Sequence, residues 1–159
     1  MTTFTKWFLV NAVMATAVVL VEMKGMISTV IENDLSYISI LIMILYICVS
    51  AHIGKLCYLA DRINEKRKDE AILTLSRRSE LGWFAAEHFF SLGLLGTIIG
   101  LVIATKGSLD STMPLSEIVS GLKVGLNTAF YTTICGIVFS LPLQIQLMIL
   151  KCKLDHHDK

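Results

Sequence analysis

The sequence predicts an all-α membrane protein with four transmembrane helices, on three observations. First, 54% of its 159 residues are hydrophobic and its mean hydropathy is +0.67, beyond the range of ordinary soluble domains. Second, the apolar residues gather into four runs that reach or approach the ~20 residues a helical span needs. Third, the cations collect between the second and third runs and after the fourth.

The first run, about residues 4–21, is interrupted only by Thr5, Lys6, Asn11 and Thr16. Lys6 ahead of an apolar core also fits a secretory signal. The following Val21-Glu22-Met23-Lys24 offers no small-x-small cleavage site, so the run reads as a retained span. The second run covers about 35–54. Its centre, Ile38 to Ile47, is apolar on every side, as expected of an ordinary lipid-facing helix. With the short mixed-charge loop Glu22 to Asp34, these two form a peripheral unit, residues 1–60.

Residues 61–80 are polar and contain neither glycine nor proline. Glu65 and Lys68 stand at i,i+3, and Ala71, Ile72, Leu73 and Leu75 supply apolar positions. The segment reads as a short cytoplasmic helical extension joined through one tight turn, with no room for a separate domain. Residues 81–159 hold two longer helices, about 83–105 and 116–150, and a cytoplasmic tail. The loop between them contains Gly107, Ser108, Asp110, Ser111, Thr112 and Pro114. Ser116 or a nearby hydroxyl is placed to cap the last helix, and Glu117 suits its positive end.

Lys55, Arg62, Lys66, Arg67, Lys68, Arg77 and Arg78 lie between spans two and three. Lys151, Lys153 and Lys159 follow span four, and Lys6 precedes most of span one. Only Lys24 and Lys106 fall on the other side. Both termini are therefore expected in the cytoplasm. The net charge of +1 gives no footprint for nucleic acid. Cys48, Cys57, Cys135 and Cys152 include no close pair and read as small apolar residues on the reducing side.

The last two helices carry small residues where a span normally has Leu or Val. The third span has Gly93, Gly96, Gly100 and Ala104; the fourth has Gly121, Gly125, Ala129, Gly136 and Ser140, then Pro142. Such stripes let helix backbones approach closely, which is how helices associate in lipid. Thr97 and Thr133 each lie inside a stripe. Two readings stand for them. A threonine in a span commonly bonds its own i−4 carbonyl. Alternatively, two hydroxyls on successive helices line a polar path.

Gly93-Leu94-Leu95-Gly96-Thr97-Ile98-Ile99-Gly100, and Ala129 to Thr133 followed by Gly136 and Pro142, resemble the paired pore helices of the MotA/TolQ/ExbB proton-channel family. The likeness covers about Leu81 to Ile149. It implies a ring-forming subunit, a homopentamer around a single-span MotB/TolR/ExbD-like partner that carries a membrane aspartate, in the bacterial cytoplasmic (inner) membrane. On this resemblance Thr97 and Thr133 would line the proton path. Gly93, Gly96, Gly100, Gly121, Gly125, Ala129, Gly136 and Pro142 would serve helix packing. Compared with flagellar members, the cytoplasmic insertion shrinks to about Arg62 to Glu80, while the four spans match that branch.

The implied function is a proton-motive-force-driven channel or motor. Its transported ion is H+, with Na+ also compatible with hydroxyl and carbonyl oxygens, and no cofactor is expected. The competing reading is a scaffold that uses the stripes for assembly only. An enzyme is not expected, because no Ser/His, Asp/Asp or His/Glu constellation falls at membrane depth. Glu87, beside His88, and Lys123 are candidate mouth charges, with snorkelling as their simpler role. No metal site is expected, and Asp155-His156-His157-Asp158 reads as a solvated tail.

Overall fold

The computed structural model describes residues 2–63, 68–108 and 114–157. Among these it contains five helices and no strand: α1 (Thr3–Glu22), α2 (Met26–Asn33), α3 (Ile38–Ala60), α4 (Lys68–Ser108) and α5 (Leu115–His157). Four of them, all but α2, are long and apolar enough to cross a membrane. This is a multi-pass membrane protein.

At the 1.5 Å rise of an α-helix, the 41 and 43 residues of α4 and α5 each extend about 60 Å, roughly twice the hydrocarbon thickness. They run antiparallel and form the axis of the molecule. The apolar core lies towards one end of this hairpin. Ile42, Ile53, Leu56 and Cys57 of α3 meet Ala86 and Phe89 of α4 and Leu143, Leu147 and Leu150 of α5. The other end, around Ala104 and Gly125, is a thin two-helix contact of small residues.

Four features depart from the expectation. The loop from Glu22 to Asp34 contains a helix, α2. Gly25 at φ 67° reverses the chain, and Ile27, Val30 and Asn33 then share a half-buried face. Two turns are too few for that periodicity to stand out in the sequence. Span two begins later and ends later than 35–54, because Asp34 and Ser36 hold a turn ahead of Ile38. Span two is also not a plain lipid-facing helix. Ile38, Ile42, Tyr46, Ser50, Ile53, Cys57 and Ala60 form one buried stripe. Hydropathy cannot separate a lipid-facing side from a protein-facing one, since both are equally apolar. Finally, Ser116 does not cap α5. The Pro114 carbonyl accepts from Glu117 and Ile118 N–H at 2.9 and 3.3 Å, which puts Ser116 inside the helix.

The ends of the outer helices are fastened by side chains. Asp61, just beyond α3, accepts from the N–H groups of Thr3 and Phe4 at 3.0 and 2.8 Å and so caps α1. Burial pushes its carboxyl up, but those bonds and the charge of Lys153 outweigh it and hold the group below the ordinary 3.8. Asp34, 2% exposed, accepts from Ser36 and Ser39 N–H and starts α3. Thr128 of α5 donates to the Asn33 carbonyl at 3.0 Å and receives the Leu35 N–H at 3.4 Å, fixing this junction to α5.

A polar cluster joins α1, α3 and α5 inside the membrane. The Ser50 hydroxyl lies 2.9 Å from Asn11 Oδ1 and 3.0 Å from Gln146 Oε1. Tyr46 reaches the same Asn11 oxygen at 3.4 Å. Gln146 is fully buried and its Nε2 has no partner. α5 continues unbroken through Pro142, whose ring nitrogen removes the bond the Val138 carbonyl would receive.

Candidate functional site: a hydroxyl pair in the α4–α5 hairpin

Along α4 and α5 the small residues remove the side-chain layer that normally separates two helices. A Cβ on Gly100 would lie 2.6 Å from the Ala129 nitrogen and the Gly125 oxygen. A Cβ on Gly93 would lie 3.0 Å from the Thr132 oxygen and 3.2 Å from the Gly136 Cα. The contact is therefore backbone to backbone, in the manner of small-residue membrane interfaces. Gly96 is covered by Thr132 and Gly125 by Ala104. Pro142 is buried. Gly121 is half-buried.

This close approach sets Thr97 and Thr133 against each other. Their hydroxyls are hydrogen-bonded, with either one able to donate. Thr97 Oγ1 is also 3.2 Å from the carbonyl of Gly93 and 3.4 Å from that of Ala129. Thr133 Oγ1 is 3.3 Å from the Gly93 carbonyl and 3.1 Å from the Ala129 carbonyl. Two hydroxyls and two carbonyls thus form a four-oxygen cluster supplied with two protons. Each threonine bonds its own i−4 carbonyl, and each also faces the other helix.

The pair is half-buried, so one flank of the cluster is open. A hydroxyl can donate or accept, and the cluster can reverse its bonding direction by rotating two C–O bonds. It cannot hold a charge by itself. From Phe89 to Ala104 and from Val124 to Leu150 the sequence contains no Asp, Glu, His, Lys or Arg. The hairpin offers oriented oxygens at membrane depth without an ionisable carboxylate, imidazole or amine.

The expected mouth charges lie apart from this pair. Glu87 and Lys123 are both exposed, ten residues from Thr97 and Thr133 respectively. At helical rise each is about 15 Å along its helix from the threonine. His88, also exposed, stacks on Phe84 and bonds the Phe84 carbonyl at 2.7 Å. Ser140, buried, donates to the Ala86 carbonyl at 2.7 Å and accepts from Gln144 at 3.1 Å, one residue in sequence from Glu87. No group of three His, Cys, Asp or Glu able to hold a metal occurs among the described residues. The side chains of His156 to Lys159 lie outside them.

Nothing in the sequence distinguishes Thr128 as a functional residue. It differs from neighbouring threonines only in lying next to the small stripe, and its partner, the Asn33 carbonyl, is 95 residues away. Sequence spacing carries no sign of that bond. Asp34 was likewise hidden, because an acid at the end of a loop ordinarily reads as solvated.

Fold and site together define a polytopic helical membrane protein built around one tightly packed antiparallel helix pair. The model of the MotA/TolQ/ExbB proton channel family matches residues 59–158, well over half of the chain and all of α4 and α5. The chain belongs to that family. Searches among curated proteins and among solved structures found no match.

Proposed function

We propose that this chain is the ring-forming subunit of an ion channel or motor driven by the proton-motive force. Five copies would surround a single-span partner of the MotB/TolR/ExbD type that carries a membrane aspartate. The complex would lie in the bacterial inner membrane, and the distribution of Lys and Arg supports both termini of this chain in the cytoplasm. The observation that carries this reading is the half-open Thr97–Thr133 pair on helices without a membrane-depth acid or base. A proton relay in a membrane needs an ionisable group, and here it must come from another chain. The hydroxyl pair can donate to that aspartate when it is charged and accept from it when it is protonated.

The scaffold reading keeps one specific support: the glycine contacts by themselves explain assembly. Proton flux through proteoliposomes holding this chain and its single-span partner separates the two. Hydrogen bonds to charged groups contribute about 1.5–3 kcal/mol, so Thr97→Val or Thr133→Val is expected to lower flux roughly ten- to hundredfold. The size of the complex stays unchanged, since hydrogen bonds between membrane helices average about 0.6 kcal/mol. Undiminished flux in both variants would establish the scaffold instead.

A further inference from the structure

Away from the hairpin, α1 and α3 flank an open, shallow groove of about 540 Å³, lined by Phe4, Trp7, Gly54, Lys55 and Tyr58 with Ala51 and Leu59. Its volume lies within the range of about 300–1,000 Å³ found for small-molecule sites. The spacing of the lining explains its form. Ala51, Gly54, Lys55 and Tyr58 share one face of α3. Gly54 admits the Trp7 indole, which lies directly over it where a Cβ would come within 2.6 Å of the ring, and the small Ala51 leaves the hollow beside it. Trp7 is held there by its N–H, which donates to the Ser50 carbonyl at 3.1 Å. Phe4 stacks on Trp7 at 5.3 Å and meets the edge of Tyr58 at 6.0 Å. The floor is therefore a fixed aromatic triad.

Two cations stand beside this apolar groove. Lys55 is part of the lining and exposed. Arg62, seven residues further on, places its guanidinium 4.7 Å from the centre of the Tyr58 ring. The neighbouring acid, Asp61, has both carboxylate oxygens engaged by the α1 N-terminus. Arg62 thus lies just beyond the end of the α3 span, at the level where lipid phosphates lie, while Lys55 lies within the last turns of the span, its long stem able to carry the ammonium towards the same level.

We propose that this groove binds an anionic phospholipid, one acyl chain lying on Phe4, Trp7 and Tyr58 and the phosphate held by Lys55 and Arg62. The apolar lining selects a hydrocarbon chain, and the two cations beside it select a lipid with net negative charge over a zwitterionic one. The site is separate from the Thr97–Thr133 pair and does not depend on the channel reading.

Trp7 is itself a reporter, because Trp83 is the only other tryptophan. In a Trp83→Phe background, the full-length protein is reconstituted in vesicles of unlabelled zwitterionic lipid. Phosphatidylglycerol or phosphatidylcholine with brominated acyl chains is then titrated in, and quenching of Trp7 is read. Phosphatidylglycerol is expected to quench at about tenfold lower mole fraction than phosphatidylcholine. Lys55→Gln with Arg62→Gln, both on exposed side chains, is expected to bring the two lipids within about twofold of each other. Equal quenching by both lipids in the unaltered protein would overturn the proposal, leaving the groove as ordinary lipid-facing surface. So would a preference that survives loss of both cations, or an absence of quenching by either lipid, which would mean that a second copy of the chain covers the groove.

Discussion

The α4–α5 contact and the α1–α3 contact hold helices together by opposite means. Between α4 and α5 the backbones nearly touch, and the separation is set by atoms that cannot rotate away. Between α1 and α3 the contact is made by an indole on a glycine, a ring edge, and a serine shared between two amides. The first kind of contact fixes one geometry, which a two-hydroxyl site requires. The second adapts, and leaves a groove at the membrane surface. In this chain, precision and adaptability are allotted to different helix pairs.

That contrast breaks most readily at the glycines. Gly100→Val places methyl groups against the Ala129 nitrogen and the Gly125 carbonyl, which are backbone and cannot rotate aside. Overpacking typically costs about 1–3 kcal/mol, and backbone neighbours that cannot yield put this position at the upper end. The expected result is loss of the monodisperse peak in detergent and of the thermal transition. Leu101→Val, next to it but exposed, is expected to change stability by less than about 0.5 kcal/mol. If both variants behave alike, the backbone contact is not what sets the helix separation.

A gentler comparison lies in the polar cluster of the flank. Gln146 buries an amide whose Nε2 has no partner. Gln146→Met fills a similar volume without that group. It is expected to leave thermal stability unchanged or raise it by about 1–2 kcal/mol, whereas Ser50→Ala removes a bonded hydroxyl and is expected to cost about 1 kcal/mol. A large loss from Gln146→Met would place a partner on Nε2 and tie the flank to one geometry as firmly as the hairpin.

The smallest expected effect is the acid response of the α1 cap. The folded Asp61 carboxyl titrates below 3.8, its ordinary value. Its contribution is therefore complete above about 3.8, and it is lost as the pH falls through the lower folded value. Asp61→Asn is expected to flatten the fall of the melting midpoint in that acid window and to leave its slope near pH 7 unaltered. An unaltered acid limb would remove Asp61 from the cap.

The four long helices were legible because length and hydropathy report directly on a bilayer. The glycine and threonine positions were legible because such residues are costly in a span unless something uses them. The face that Thr133 shares with Ala129 and Gly136 singled it out over Thr132, but the sequence could not disclose that its hydroxyl bonds that of Thr97. That contact depends on the register of α4 against α5, which is decided by packing. Nor could it show that α3 is a core helix, since Ile42 against protein and Ile44 against lipid are the same residue. Asp34 and Thr128 were hidden because their partners are a local turn and a carbonyl some 95 residues distant.

That last bond has a consequence for biosynthesis. The Asn33 carbonyl and Leu35 N–H emerge with α2 and α3, yet their partner hydroxyl belongs to α5, made some 95 residues later. Until α5 inserts, the α2–α3 corner has open polar groups. A ribosome stalled before Thr128 therefore leaves a nascent chain whose outer corner is unlocked, and arrival of α5 closes it.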